Sequence, residues 1–274
     1  MRPSLQKGGL ILSAHFCPVA ASLCGISAAI TIFSQKPTDV GYQTITVAPG
    51  STTGLAVQFE KVSGGNISIK DLVQSNNPKG AASIGGTADQ IWTYDGFSWT
   101  KYYFYSARGV TKWLKTPVTN AATDAETTDE IGNGESFFFV RSSSGAAGNT
   151  VTLSGEVVPL SSTREISVAP GSTTAMAYPW PEGFKIKNFN NFNANPKGAA
   201  SIGGTADQIW TYDGYSWTKY YFYSARGVTK WLKTPVTNAA TDTETEDTIA
   251  AGQAFFFIRS SSGAAADKIS FECN

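Results

Sequence analysis

The chain has 274 residues, 21 Lys and Arg against 21 Asp and Glu, and a composition that is 41% hydrophobic and 12% aromatic. Balanced charge argues against a polyanion binder, which relies on excess Lys and Arg. The apolar content is enough to bury a real core, which argues against global disorder.

Residues 8–34 carry no formal charge and follow Arg2 and Lys7. A basic start, an apolar middle and small residues ahead of a polar stretch read as a secretory signal over 1–34. Cleavage after Ser22, Ala29 or Ser34 fits the small-residue preference, and Ser34 is favoured because the chain turns polar at Gln35. The alternative is a membrane anchor, since the stretch exceeds about 20 residues. Its Ala, Ser and Gly content and Pro18 weaken that alternative, and neither Cys17 nor Cys24 sits in a lipoprotein motif. Cleavage removes His15, Cys17, Cys24, Arg2 and Lys7, leaving no histidine, one cysteine and a net charge of 19 − 21 = −2. Ser-His-Asp, Cys-His and His-metal chemistry then disappear together. A carboxylate-based glycoside hydrolase survives as the least favoured option. No cofactor or metal is expected, and no membrane span after signal removal.

The rest of the chain predicts an all-β protein. Short runs rich in Val, Ile, Thr, Tyr, Phe and Trp alternate with Gly, Pro, Asn and Asp. They fall at Tyr42–Val47, Leu55–Phe59, Ile67–Ile69, Gln90–Tyr94, Phe97–Tyr105, Ser136–Arg141 and Thr150–Val158, with one helical turn near Ile69–Gln74. Residues 77–124 recur at 195–242, and one of these 48 positions differs, Phe97 becoming Tyr215. Looser similarity extends outward, from TVAPGSTT at 46–53 and SVAPGSTT at 167–174 to the FFF strands. Two tandem homologous domains are expected, 41–160 and 164–274, each an antiparallel β-sandwich or β-barrel.

Within each repeat the segment QIWTYDGFSWTKYYFY, 90–105 and 208–223, predicts a hairpin. A two-residue turn at Asp95-Gly96 pairs Tyr94 with Phe97 and Trp92 with Trp99. That register puts Trp92, Tyr94, Phe97 and Trp99 on one face and Ile91, Thr93, Ser98 and Thr100 on the other. The aromatic face reads either as core, favoured because cross-strand aromatic pairs stabilise sheets, or as an exposed platform for sugar rings flanked by Gln90, Asp95 and Lys101. Next comes SARGVTKWLKTP at 106–117, where Arg108, Lys112 and Lys115 surround Trp113; it reads as a solvated loop and strand with Trp113 half-buried, or as part of an anionic-polysaccharide site. The candidate ligand-binding residues are Trp92, Trp99 and Trp113, with Trp210, Trp217 and Trp231.

TDAETTDE at 123–130 and TDTETED at 241–247 invite a structural calcium reading, but they lack the spacing of a known loop. Cys273 remains as a candidate for an intermolecular disulfide. Its repeat counterpart is Gly155, and the last strand is expected to be shorter than its counterpart. A vacant strand position there could instead accept a segment from another copy.

PTDVGYQTITVAPGSTT (37–53), SNNPKGAASIGGTADQIWTYDG (75–96), YYFYSARGVTKW (102–113), GESFFFVRSSSG (134–145) and VTLSGEVV (151–158) together resemble an uncharacterised family of secreted bacterial β-rich proteins. The resemblance covers nearly all of 37–274 and implies export and a β fold, with no activity attached. The second copy departs from it where FECN replaces LSGE. The functional expectation is an exported, non-catalytic structural or binding protein of the cell envelope or extracellular space. Its expected partners are a polysaccharide or other copies of itself, as homo-oligomer or filament, and not nucleic acid. A bivalent carbohydrate binder using exposed aromatics is the alternative.

Overall fold

The computed structural model describes residues 40–62, 64–72, 78–83, 88–144, 150–159, 162–180, 182–201, 206–262 and 268–272. The expected signal segment 1–34 and Cys273 lie outside them.

The first repeat supplies β1 (Val40–Thr46), β2 (Thr52–Ala56), β3 (Phe59–Glu60), β4 (Ile67–Ser68), α1 (Ile69–Leu72), β5 (Gln90–Tyr94), β6 (Trp99–Ala107), β7 (Val110–Lys115), β8 (Glu130–Ile131), β9 (Ser136–Val140) and β10 (Thr150–Val157). The second supplies β11 (Arg164–Ser167), β12 (Thr173–Ala177), β13 (Phe184–Lys185), a 3-10 helix (Ile186–Phe192), β14 (Gln208–Tyr212), β15 (Trp217–Ala225), β16 (Val228–Lys233), β17 (Thr248–Ile249), β18 (Ala254–Ile258) and β19 (Lys268–Phe271). The fold is all-β, and every pairing between these strands is antiparallel.

Each repeat builds a five-stranded sheet, β2-β9-β5-β6-β7 in the first and β12-β18-β14-β15-β16 in the second. The alternation of side chains along a strand gives each sheet two faces. Leu55, Ile91, Tyr102, Trp113, Phe137 and Phe139 point inward and pack on Val151 and Leu153 of β10 and on Ile69 and Leu72 of α1. In the second repeat the 3-10 helix replaces α1, and its Phe189 and Phe192 enter the corresponding core beside Trp231.

The opposite face of the sheet is also apolar, and two different covers close it. One is the segment before β5, whose Ala81 bridges to Tyr105 and whose Ala88 packs with Tyr103, Tyr105 and Leu114. Gly80 runs so close to β6 that an added Cβ would lie 2.1 Å from the Ser106 Cβ. A buried ion pair holds this segment. Arg141 donates from Nη1 to Asp89 at 3.0 Å, while the Asp89 carboxylate also accepts from the Lys79 and Ser142 amides at 2.8 Å each. Arg259 and Asp207 repeat the arrangement.

The other cover is the sister repeat. Phe138 of β9 and Phe256 of β18 stack across the seam at 5.7 Å with an interplanar angle of 16°. Tyr94 meets Phe256 edge-on at 5.7 Å, and Tyr212 meets Phe138 at 6.4 Å. Backbone bonds pair up in the same way, from Ala56 N–H to Gly252 and from Ala177 N–H to Gly134. The contacts come in reciprocal pairs, as two near-identical faces meeting about a local two-fold require. Residues from Pro37 to Asn274 accordingly group as one compact unit.

Phe138→Ala is expected to cost about 3–5 kcal/mol of stability, the range for large core truncations. Phe256→Ala added to it should cost less than on the unaltered chain, since both remove one stack. Urea denaturation of the four proteins measures this, and strict additivity would contradict the seam.

Candidate functional site

The β5–β6 hairpin carries the candidate residues, and its turn differs from the expected one. Tyr94 pairs with Trp99 and Trp92 with Lys101, two residues away from the predicted register. The loop residues are Gly96 and Phe97, closed by an Asp95 N–H bond to the Ser98 carbonyl at 3.2 Å. The Asp95 carboxylate causes the shift. It accepts from the Phe97 and Ser98 amides at 2.8 and 2.7 Å and from the Ser98 hydroxyl at 2.9 Å. An Asx-type turn of this kind places glycine first, and Gly96 takes a φ of +100°. Because a strand repeats every two residues, a two-residue shift leaves the faces unchanged. Trp92, Tyr94, Trp99 and Lys101 share one face in either register, and the observed one sets Lys101 directly opposite Trp92.

That face is neither wholly core nor wholly platform. Its inner end packs on the sister repeat, while Trp99 and Trp217 remain 42% and 41% exposed and the tip residues Phe97 and Tyr215 are 90% and 87% exposed. Trp92 is half-buried, and its indole N–H donates to Gln90 at 2.9 Å. The rings form a connected series. Trp92 contacts Trp99 at 6.1 Å, Trp99 contacts Phe138 at 5.4 Å, Phe256 contacts Trp217 at 5.4 Å, and Trp217 contacts Trp210 at 6.3 Å. Lys101 Nζ lies 4.1 Å from the Trp92 ring centroid, and Lys219 Nζ lies 3.9 Å from that of Trp210.

Trp113 and Trp231 do not belong to this site. Both are buried on the inner face, against Phe104 and Phe222 at 5.2 Å, so their place among the ligand-binding candidates is corrected to core. Their segment is a regular strand, β7 or β16, joined to its neighbour by a tight Arg108-Gly109 or Arg226-Gly227 turn with positive φ at both positions. Odd-numbered Trp113 pairs with even-numbered Phe104, which faces away from Trp92. The sequence reading places Lys101 at the flank of the rings, and the structure seats it opposite Trp92 with its ammonium over that indole.

The acidic stretches are tied to the scaffold. Asp124 accepts from the Thr119 and Asn120 amides, and Glu126 accepts from the Trp113 amide. Asp129 takes Lys115 at 2.8 Å and the Tyr102 hydroxyl at 2.6 Å. Burial and that carboxylate push the Tyr102 hydroxyl far above its ordinary range, and Lys115 followed by Tyr102 holds Asp129 below its own. Among the described residues no group of three or more His, Cys, Asp or Glu side chains is placed to hold a metal ion.

A cleft of about 610 Å³ runs beside the hairpin, lined by Glu60, Asp95, Glu130, Glu135 and Glu165 with Arg164. Glu60 pairs with Arg164, Glu165 with Lys268 and Glu135 with the Gly132 amide. Asp89 stands apart from these carboxylates, buried on Arg141. A glycosidase general acid needs a raised pKa, whereas the Ser98 and Phe97 amides hold Asp95 below its ordinary value. No helix among the described residues is long and apolar enough to cross a membrane. Comparisons with protein-family models, curated proteins and solved structures return no match to this chain.

The Asp95 and Asp213 carboxyls should titrate below 3.8, their ordinary value. A lowered folded-state pKa contributes order to the turn above the unfolded value, and that contribution is lost as pH falls through the folded one. Carboxyl chemical shifts against pH check this, and a midpoint at 3.8 or above contradicts the turn geometry.

Proposed function

We propose that this chain is an exported, non-catalytic binding protein of the cell envelope or extracellular space, whose two aromatic hairpins engage a polysaccharide. The observation that carries this reading is the pair of half-exposed indoles, Trp99 and Trp217, each beside a fully presented tip ring, Phe97 or Tyr215. Aromatic rings offer an apolar body of large area at little conformational cost, which suits stacking on the C–H faces of sugars. Two copies of the hairpin in one chain raise avidity through effective concentration. Four of the five carboxylates of the adjoining cleft, Glu60, Asp95, Glu135 and Glu165, are held in ion pairs and backbone bonds, which supports binding over hydrolysis.

A second reading, a structural subunit that assembles with its own copies, draws on β1. This is an edge strand with Val40 and Tyr42 62% and 78% exposed, and such edges invite pairing with another chain.

Retention on a panel of insoluble polysaccharides tests the first reading, and light scattering against concentration tests the second. The double variant Trp99→Ala/Trp217→Ala should lose at least about tenfold in retention, as truncation of hot-spot aromatics does. Phe97→Ala/Tyr215→Ala removes exposed rings and should leave the melting temperature unchanged while weakening retention. No retention on any polysaccharide, together with concentration-dependent polymers, would overturn the first reading in favour of the second.

A further inference from the structure

We propose that the polysaccharide is acidic, a uronate polymer, with Lys101 and Lys219 pairing its carboxylates while Trp99 and Trp217 stack on its rings. This rests on the hairpin reading above and adds the charge class of the ligand.

Lys101 and Trp99 are two residues apart on β6, so they point to the same side of the sheet about 7 Å apart. That spacing lets a sugar ring on the indole present a carboxylate to the ammonium. Lys219 and Trp217 repeat it on β15. Both lysines are exposed, and each leans over a neighbouring indole, Trp92 or Trp210, which fixes the ammonium beside the stacking ring. Lys61, Lys70, Lys79 and Lys197 also form no salt bridge among the described residues, but of the described lysines only Lys101 and Lys219 lie over an indole, and seven others are engaged elsewhere. Lys115 and Lys233 pair with Asp129 and Asp247, Lys185 and Lys187 with Glu246, and Lys268 with Glu165. Lys112 and Lys230 donate to backbone carbonyls. Among the described residues Lys101 and Lys219 form no salt bridge, so the aromatic face presents one unneutralised cation per hairpin. The nearby Asp95 does not cancel it from the same position, since its carboxylate is turned into the hairpin loop by three donors. A nucleic acid also combines rings with negative charge, but it carries a phosphate at every residue and calls for a basic groove. The balance of 21 basic and 21 acidic residues offers no such excess.

The test uses the full chain, with polygalacturonate and its highly methyl-esterified, neutral form as probes, at low and moderate salt. Binding of the acid form should be roughly three- to tenfold tighter than that of the ester at low salt, the range for a pair of exposed charge contacts. The gap should narrow as salt rises. Lys101→Gln/Lys219→Gln should abolish the preference while keeping ester binding and the melting temperature, and Lys101→Arg/Lys219→Arg should restore it. Equal affinity for the two polymers, or a preference untouched by the Gln variant, overturns the acidic assignment and leaves the hairpin reading standing. Retention on a neutral polysaccharide without binding to polygalacturonate has the same meaning. Binding to no polysaccharide overturns both, and tighter binding of single-stranded poly(dT) reassigns the face to nucleic acid.

Discussion

The central five-stranded sheet of each repeat is apolar on both faces, and the rest of the structure answers that constraint. A half-buried antiparallel sheet ordinarily turns one face to water. Here Ile91, Phe137 and Phe139 occupy one face while Phe138, Tyr103 and Leu114 occupy the other, all nearly inaccessible to solvent. The inner face is closed by β10 and the short helix of the same repeat. Closing the outer face takes two further devices, the segment before β5 and the sister repeat. The first has few apolar residues of its own and depends on Asp89. Removing Arg141 would leave that carboxylate buried without its partner, a loss of about 3–5 kcal/mol for pairs of this kind. The second device requires a face that complements itself.

Self-complementarity bears on why residues 77–124 and 195–242 differ at one position of 48. This segment includes Tyr94 and Trp99, which meet the seam, and also Ile91, Tyr102 and Trp113, which meet the repeat's own core. A substitution within it is felt on two surfaces. The divergent apolar side chains lie in their own repeat's core, although Gln58, between Val57 and Phe59, donates across the seam to the Tyr178 and Trp180 carbonyls. Val57 and Phe59 in the first repeat stand where the second has Tyr178 and Trp180, and Ile67–Leu72 gives way to the Phe-rich stretch Phe184–Phe192. Those larger rings fill the inner layer of their own repeat, where neighbouring side chains can repack around a change in volume. The single difference inside the shared segment, Phe97 to Tyr215, adds a hydroxyl at a tip that water surrounds.

Composition and alternation made the all-β fold legible, including the limits of β5 and the helical turn at Ile69–Leu72. Tyr103 and Tyr105 continue on the face of Trp92 as strand periodicity demands. The hairpin register was not legible, because Asp-Gly and Gly-Phe are both admissible two-residue loops. The choice falls to three hydrogen bonds of the Asp95 carboxylate, which periodicity does not encode. Trp113 was misplaced for a related reason. Basic neighbours suggested solvent, but alternation puts Lys112 on the opposite face of the strand from the indole, while Lys115, on the same face at the end of the strand, reaches out to Asp129. The seam was hidden for a deeper reason. An aromatic face covered by the same chain's own repeat has the same local pattern as one covered by a ligand or by water.

That ambiguity is resolved ring by ring. Phe138 and Phe256 are sealed by each other, and Tyr94 and Tyr212 reach the seam. The hairpin turns back directly after Tyr94, and its loop presents one ring, Phe97 or Tyr215, to water. A large exposed aromatic contributes little to folding because its apolar area stays hydrated. Scattered surface aromatics need no explanation, but these recur in register in both repeats, each with a lysine held over the adjoining indole. A lysine in that position also narrows the ligands that the proposed binding face would accept. It shields one side of Trp92 or Trp210 and leaves Trp99 or Trp217 as the open ring, with a positive charge at its border. Shape and charge on this face are therefore set by the same three side chains, and the seam that buries their neighbours holds them in place.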